Sequence, residues 1–249
     1  MTITIQRGSI DDLHQILAWL QQEYEEDGRG FWANRTIVER AVCEQYDLWS
    51  AVHDGNVIGF QVGNYAADII SVQKAWRLNG VGRTLFEASL QRAKRDAINV
   101  LEVECYPHSS LPFWQKLGFQ IFHSSNRTTN INARYIIEKA HKLPLNAALA
   151  NVEIDFFDGE TGLTKSGAQY ESPTRTQRVL GAFVDSKIIQ LERRVIGLND
   201  LMRTSDLHVS IIVNGQCHYS DKAKYDDAQR LGVQRDRVSG HFFIDRIQI

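Results

Sequence analysis

The sequence has few cysteines for its 249 residues, and those it has form no familiar pattern. Cys43, Cys105 and Cys217 include no Cys-x-x-Cys pair, which argues against a zinc site and against a disulfide framework. No apolar run is long enough to span a bilayer, and the N-terminus lacks the apolar core of a signal peptide. We therefore expect a protein of the reducing cytoplasm, with no bound metal and no membrane partner.

An excess of charge of either sign is also missing. The formal net charge is −2, and residues 1–144 carry 15 Lys and Arg against 16 Asp and Glu, while residues 145–249 carry 13 against 14. A half that binds nucleic acid would be strongly basic, so a nucleic-acid partner is not expected. Hydrophobic residues make up 43% of the chain, which is enough for the core of one large or two small domains.

A glycine-containing segment between a strand pattern and a helix pattern is the most informative part of the chain. Ile69–Val72 is apolar and predicts a buried strand, whereas Leu85–Ala93 repeats apolar residues at spacings of three and four and predicts a helix. Between them lie Arg77, Gly80 and Gly82. A helix that begins there presents unpaired N–H groups and the positive end of its dipole, and glycine lets a ligand approach the main chain. The segment therefore predicts a phosphate or diphosphate site, with a tight connection as the alternative.

The known nucleotide-binding motifs fit this segment poorly. The dinucleotide pattern Gly-x-Gly-x-x-Gly would need a third glycine where Leu85 stands, and the Gly-Lys-Ser/Thr of a P-loop is absent. The segment instead resembles the acetyl-CoA loop of the GNAT superfamily of N-acetyltransferases, Arg/Gln-x-x-Gly-x-Gly/Ala after a strand. Val100–Glu104 resembles the next strand of that family, and Phe113–Phe119 is similar to its signature Tyr-Glu-Lys-Leu-Gly-Phe.

The resemblance covers residues 1–142 and implies an α+β GNAT fold, a mixed and mostly antiparallel sheet flanked by helices. It also implies acetyl-CoA as the cofactor and direct acetyl transfer, in a ternary complex, to a primary amine of a small molecule or a protein. The residues it places at the cofactor are Ser71, Val72, Gln73, Arg77, Leu78, Asn79, Gly80, Val81, Gly82, Arg83 and Thr84. The residues it places beside the acceptor, in the connection between two predicted helices, are Tyr24, Glu25, Glu26, Asp27, Phe31 and Trp32. An ordinary solvated loop is the alternative for each of these acceptor residues.

The strand pattern at residues 101–106 supplies candidate catalytic groups. Alternation puts the apolar side chains on one face of the strand and Glu102, Glu104 and Tyr106 on the other. A carboxylate within a central strand is costly unless it is paired or faces a cleft. Glu102 is therefore the candidate general base for the amine, and Glu104 is the reserve.

The sequence offers several candidates for the general acid. The chain here resembles the ribosomal-protein alanine acetyltransferase branch of the family, in which the glutamate is the base and a tyrosine of the next helix is the acid. In this chain Trp114 occupies the position of that tyrosine, and Pro107 occupies the position of an asparagine that is usual in the family. Because indole cannot supply the proton, Tyr106, His108 and water are the candidate acids. A non-catalytic module that binds acyl-CoA as a sensor or scaffold stays open as an alternative.

Residues 145–249 lie beyond the resemblance and predict a smaller, β-rich α+β domain. The boundary falls at Lys142–Leu145, where a proline breaks the preceding strand pattern. We expect this domain to serve substrate recognition or homodimerisation. The alternative is an interaction protein that acts through this part of the chain.

Several patterns within that domain bear on its local structure. Asn214-Gly215 predicts a hairpin whose two-residue turn pairs His208 with Asp221. The following residues, Asp221–Leu231, predict one helix. Two further apolar segments, Val179–Val184 and Ile188–Ile196, are ambiguous between strand and helix.

Overall fold

The computed structural model describes residues 2–28, 30–45, 47–122, 131–157, 173–198 and 207–249. The chain divides into two compact units. The first comprises Met1–Ala97, Leu101–Gln120 and Asn130–Tyr135, and the second comprises Ile98–Val100, Ile121–Thr129 and Ile136–Ile249. Domains of residues 1–142 and 145–249 remain a prediction.

The first unit opens with a four-stranded antiparallel sheet and three helices. In chain order they are β1 (Thr4–Arg7), α1 (Ile10–Asp27), α2 (Arg35–Cys43), β2 (Leu48–His53), β3 (Asn56–Val62), β4 (Ile69–Val72) and α3 (Val81–Arg95). The strands lie in the order β1-β2-β3-β4. The apolar stripe of α1 is buried in one cluster with α2 and the sheet, which includes Leu13, Ile16, Leu20, Val38 and Phe60.

Ser9 followed three residues later by an acidic residue is the sequence pattern of a capping box, and a capping box fixes the start of α1. The Ser9 hydroxyl accepts a hydrogen bond from the Asp12 N–H at 3.1 Å, and the Asp12 carboxylate accepts one from the Ser9 N–H at 3.1 Å. Two N–H groups at the helix end are thereby paired. The buried apolar residues of the helix lie between Leu13 and Leu20, and the helix ends at Asp27.

A second, three-stranded sheet contains the strand with the candidate base. Its elements are β5 (Val100–Cys105), α4 (Leu111–Lys116), β6 (Gln120–Phe122) and β7 (Ile131–Ile136), with strand order β5-β7-β6. β4 and β5 are therefore edge strands of different sheets. The edge of a strand exposes backbone N–H and C=O groups that a ligand can pair.

The second unit is one seven-stranded antiparallel sheet with a short helix. Its elements are β8 (Leu149–Phe157), β9 (Arg175–Phe183), β10 (Ile188–Gly197), β11 (His208–Val213), β12 (Gln216–Lys222), α5 (Asp226–Arg230), β13 (Val233–Arg235) and β14 (Phe242–Gln248). The strand order is β12-β11-β8-β9-β10-β14-β13, so the two ambiguous apolar segments are both strands. The short α5 segment lies in the connection between the two edge strands, β12 and β13, and its Ala228 is buried in the same core as Ile154 and Ile244.

Two expectations for this unit are wrong. His208 pairs with Lys222 rather than with Asp221, because a bulge makes His218 an extra residue in β12. The predicted helix over Asp221–Leu231 is also too long. Pairing with β11 keeps the chain in the sheet as far as Lys222, and the helix begins only at Asp226, where two aspartates favour a helix N-terminus.

The described residues contain no helix that is both long enough and apolar enough to cross a membrane. All three cysteines carry free thiols, and Cys105 is buried. Among the same described residues no group of three His, Cys, Asp or Glu side chains could hold a metal ion.

Candidate active site

The N-terminus of α3 has the geometry that the glycine motif predicts. Gly80 adopts a left-handed conformation with φ +82° at the N-cap position, and no side chain caps the helix. The first intrahelical bond runs from the Thr84 N–H to the Gly80 carbonyl at 3.0 Å. The N–H groups that precede Thr84 therefore have no acceptor within the helix, and no acidic residue lies in its first turn. This end of α3 can receive an anion.

The glycines around this end of the helix have different roles. A Cβ at Gly80 would meet nothing within 4 Å, so the left-handed backbone explains that glycine. A Cβ at Gly82 would lie 3.2 Å from the ring of Phe113 on α4. A Cβ at Gly59, on β3, would lie 3.0 Å from Val81 and 3.1 Å from the carbonyl of Ser71. Gly59 therefore lets α3 start close against the sheet, and the sequence analysis missed it.

The turn between β4 and α3 is held by main-chain and side-chain hydrogen bonds. The Gln73 N–H donates to the Ile58 carbonyl at 3.0 Å, and a 3-10 turn follows at Lys74–Trp76. The Asn79 amide donates to the Arg77 carbonyl at 3.2 Å. Leu78, between them, is fully exposed and has φ +67°, which is an unusual conformation for leucine. These hydrogen bonds hold the turn in a defined conformation.

The Arg77 side chain is engaged within the protein. Its Nε donates to the Val72 carbonyl at 2.9 Å, and its Nη2 donates to the Glu23 carboxylate at 2.5 Å. Glu23 also accepts a hydrogen bond from the Lys74 N–H at 2.5 Å. Glu23 directly precedes the acceptor candidates Tyr24–Asp27, and nothing in the sequence indicated its contact with residues more than fifty positions away.

The predicted acceptor residues lie on α1 and on the 3-10 turn that follows it. Tyr24 to Asp27 form the last turn of α1 rather than a loop, because the helix continues to Asp27. Glu25 accepts from Gln21 at 2.8 Å, and Glu26 accepts from Gln22 at 3.1 Å. The surface of this helical turn is acidic.

One cation pairs with this acidic turn. Lys74 Nζ lies 2.9 Å from an Asp27 oxygen and 3.7 Å from a Glu26 oxygen. The hydrogen bond that Lys74 donates to Asp27 raises the pKa of Lys74, and the charges of Asp27 and Glu26 raise it further. The two aromatic candidates, Phe31 and Trp32, are half-buried against the core of α1 and α2.

The β5 strand has the alternation that the sequence predicts. Leu101, Val103 and Cys105 are buried, whereas Glu102 is half-buried and Glu104 is exposed. Burial raises the pKa of the Cys105 thiol, and the charge of Glu104 raises it further, so this thiol is not an activated nucleophile. Both carboxylates lie on the face of β5 opposite the core.

The candidate acids differ sharply in exposure. Tyr106 is 70% exposed and His108 is exposed, both just after β5. Trp114 is 4% exposed and packs edge-on against Phe113 and Phe119, with ring centroids 4.9 and 5.0 Å apart. Trp114 therefore serves packing.

The comparisons with known proteins bear on the first unit. The family model described as the acetyltransferase (GNAT) domain matches residues 20–133. No curated protein matches the chain. The expected α+β GNAT fold is confirmed.

Three solved structures illustrate the similarity. Ard1 from Thermoplasma volcanium is 21% identical with a TM-score of 0.42, and the match covers 55% of this chain and 99% of that one. The ribosomal-protein-S18-alanine N-acetyltransferase from Escherichia coli is 20% identical with a TM-score of 0.41, covering 59% and 99%. PaiA N-acetyltransferase from Thermoplasma acidophilum, in complex with coenzyme A, is 17% identical with a TM-score of 0.40, covering 55% and 100%.

The family match stops at residue 133, so the sheet of β8 to β14 lies outside it. The matched part contains β4, the glycine turn, the start of α3, and β5 with the candidate base. Residues 20–133 of this chain are therefore a GNAT acetyltransferase domain, of the family whose acetyl donor is acetyl-CoA.

Proposed function

We propose that the chain is an acetyl-CoA-dependent N-acetyltransferase that moves the acetyl group directly to a primary amine in a ternary complex. The observation that carries this proposal is the uncapped N-terminus of α3, which follows the edge strand β4 within a GNAT domain. A helix N-terminus of this kind binds phosphate groups through its N–H groups and its dipole.

The residues of the turn would hold the cofactor in two ways. The main-chain N–H groups between Leu78 and Thr84 would bind the diphosphate, together with the exposed side chain of Arg83. The main chain of Ser71–Gln73, at the edge of β4, would pair with the pantetheine arm. When bound, acetyl-CoA supplies a thioester, which an unprotonated amine can attack.

Glu102 is the proposed general base. Most primary amines are protonated at neutral pH, so transfer is faster when a carboxylate accepts the proton of the attacking nitrogen. Glu102 is half-buried and lies on the face of β5 away from the core, whereas the reserve candidate Glu104 is exposed. Tyr106, His108 or water would then protonate the leaving thiolate.

The proposed acceptor is a primary amine on a small molecule or on a protein. Glu25, Glu26, Phe31 and Trp32 are the proposed selecting residues, because they follow one another at the end of α1 and in the adjoining 3-10 turn. A cationic amine would be attracted by the acidic turn of α1. We propose that the second unit recognises the substrate or forms a homodimer.

A sensor or scaffold that binds acyl-CoA without catalysis is the second candidate. The buried position of Trp114 favours it, since the residue at the place of the family's acid cannot donate the required proton. Intact glycines at 80 and 82 fit either candidate.

Release of free thiol from acetyl-CoA, measured over a panel of small amines and peptides, tests the proposal. We expect release with at least one amine and a loss of at least about tenfold in Glu102→Gln. Glu44→Gln is the control, because Glu44 forms an exposed ion pair with Arg40 on α2. Binding of acetyl-CoA without thiol release from any amine would favour the sensor.

A further inference from the structure

Glu23 links the end of α1 to the turn that precedes α3. One carboxylate oxygen accepts from the Lys74 N–H and the other from Arg77 Nη2, each at 2.5 Å. The Glu23 side chain is only 12% exposed, whereas the Arg77 side chain is 49% exposed. Hydrogen bonds of a shielded carboxylate to a main-chain donor and a guanidinium are stronger than neutral ones.

The position of Glu23 is unfavourable for the helix itself. The last turns of α1 also carry Glu25, Glu26 and Asp27, and no basic residue of α1 lies among them. Carboxylates at the C-terminal, negative end of a helix are destabilising. The ion pairs with Arg77 and Lys74 offset this cost, so the acidic turn and the cofactor turn depend on each other.

The same contacts fix the orientation of Arg77. With Nη2 on Glu23 and Nε on the Val72 carbonyl, the guanidinium spans from α1 to the last residue of β4. The Lys74 N–H, at the start of the 3-10 turn, is held at the same carboxylate. Three residues after Arg77, the left-handed Gly80 sets the direction of α3.

We propose that Glu23 is a positioning residue of the cofactor site, clamping the turn at Lys74–Arg77 so that the first N–H groups of α3 face the diphosphate. The inference rests on the proposed function. Glu23 acts through the turn and contacts no substrate.

The sign of the effect separates a clamp from a simple charge. A carboxylate near a diphosphate repels it, so a Glu23 that acted only through its charge would weaken binding, and its removal would strengthen it. If Glu23 acts as a clamp, its removal has the opposite effect on binding. Removal of Glu23 should weaken the binding of coenzyme A even though the site becomes more positive.

The experiment measures the Kd of coenzyme A by calorimetry, and the KM and kcat for acetyl-CoA, in full-length Glu23→Gln. We expect Kd and KM to rise by about tenfold, with kcat at saturation within about twofold of wild type. Glu44→Gln removes the same charge from an exposed pair and should leave both values within about twofold of wild type. Hydrogen exchange of the Lys74 amide in the free protein should be faster in Glu23→Ala, which shows directly that the clamp has opened.

Each outcome decides between the possibilities. Unchanged or tighter binding of coenzyme A by folded Glu23→Gln overturns the inference and leaves the proposed function standing. A wild-type chain that binds no coenzyme A overturns the proposed function, and the inference with it. A lower melting temperature with unchanged Kd would show that Glu23 only stabilises the fold, which also overturns the inference.

Discussion

Gly82, in the first turn of α3, lies directly against Phe113 of α4. A Cβ added to this glycine would be 3.2 Å from two ring atoms of Phe113, closer than side chains ordinarily approach. The same glycine is one of the residues whose N–H groups are proposed to face the diphosphate. The packing of α4 therefore limits the space at this position, where the cofactor is proposed to bind.

We predict that Gly82→Trp weakens coenzyme A binding by at least about tenfold, because the indole must occupy the proposed diphosphate site or displace Phe113. Gly82→Ala should bind nearly normally and lose less than about 1 kcal/mol of stability, since a flexible ring can yield slightly. Calorimetry measures the binding and circular dichroism checks the fold. Gln91→Trp, at an exposed position of the same helix, is the matched control and should bind like wild type.

Arg77→Ala should also weaken coenzyme A binding, by roughly tenfold, because the turn loses both of its guanidinium contacts. The effects of Arg77→Ala and Glu23→Gln should not add in the double variant, since both substitutions break the same interaction. Calorimetry on the four proteins of this cycle gives the coupling. Fully additive losses would show that Arg77 binds the cofactor independently of Glu23.

Glu102→Gln should lower turnover at least about tenfold and flatten its rise with pH, because no carboxylate remains to accept the amine proton. The affinity for acetyl-CoA should be nearly unchanged. Glu104→Gln provides the comparison on the same face of β5 and should keep the pH dependence. A reversed pattern between the two variants would assign the base to Glu104.

Asp245, on β14, pairs with Arg194, whose side chain is 6% exposed. It accepts from Arg194 Nε at 2.7 Å and from Nη2 at 2.5 Å, and His141 Nε2 lies 3.0 Å away. Burial raises the pKa of Asp245, but the hydrogen bonds from Arg194 and His141 and the charges of Arg194 and Lys139 outweigh it and lower the pKa to about 2. The pKa is therefore lower in the folded than in the unfolded chain.

A carboxyl group with a lowered pKa stabilises the fold above its unfolded value. We expect about 2 kcal/mol from Asp245 above pH 4, lost as the pH falls from about 4 to about 2. Asp245→Asn should cost about 3 kcal/mol at neutral pH, because Arg194 is left shielded without its carboxylate. All five tryptophans precede residue 115, so tryptophan fluorescence would not report on β10 and β14. Amide hydrogen exchange in these two strands is therefore the suitable measurement. Asp227→Asn, from an exposed pair with Arg230, should leave this exchange unchanged.

The features that could be predicted from the sequence depend on residues that are close to one another along the chain. The capping box at Ser9, the alternation in β5 and the left-handed start of α3 at Gly80 each follow from a pattern of a few residues. The resemblance to the GNAT family rested on patterns of the same kind, in the glycine turn, in Val100–Glu104 and in Phe113–Phe119. The sequence did not indicate which residues the side chains of the turn before α3 contact.

The features that sequence reasoning missed depend on contacts between distant segments. Glu23 contacts Arg77 across 54 positions, and Gly59 is required because Val81 and the Ser71 carbonyl lie close to it. The bulge at His218 shifts the pairing of β12 by one residue, and no turn residue signals it. The helical pattern after Asp221 was overridden by continued pairing with β11.

The most direct test is a calorimetric titration of coenzyme A and acetyl-CoA into the full-length wild-type chain. We predict saturable binding at one site per chain, lost or weakened at least about tenfold in folded Gly82→Trp and retained in Gln91→Trp. Folded wild-type protein that gives no binding signal with either ligand, or a Gly82→Trp variant that binds as tightly as wild type, would contradict a cofactor site at the start of α3.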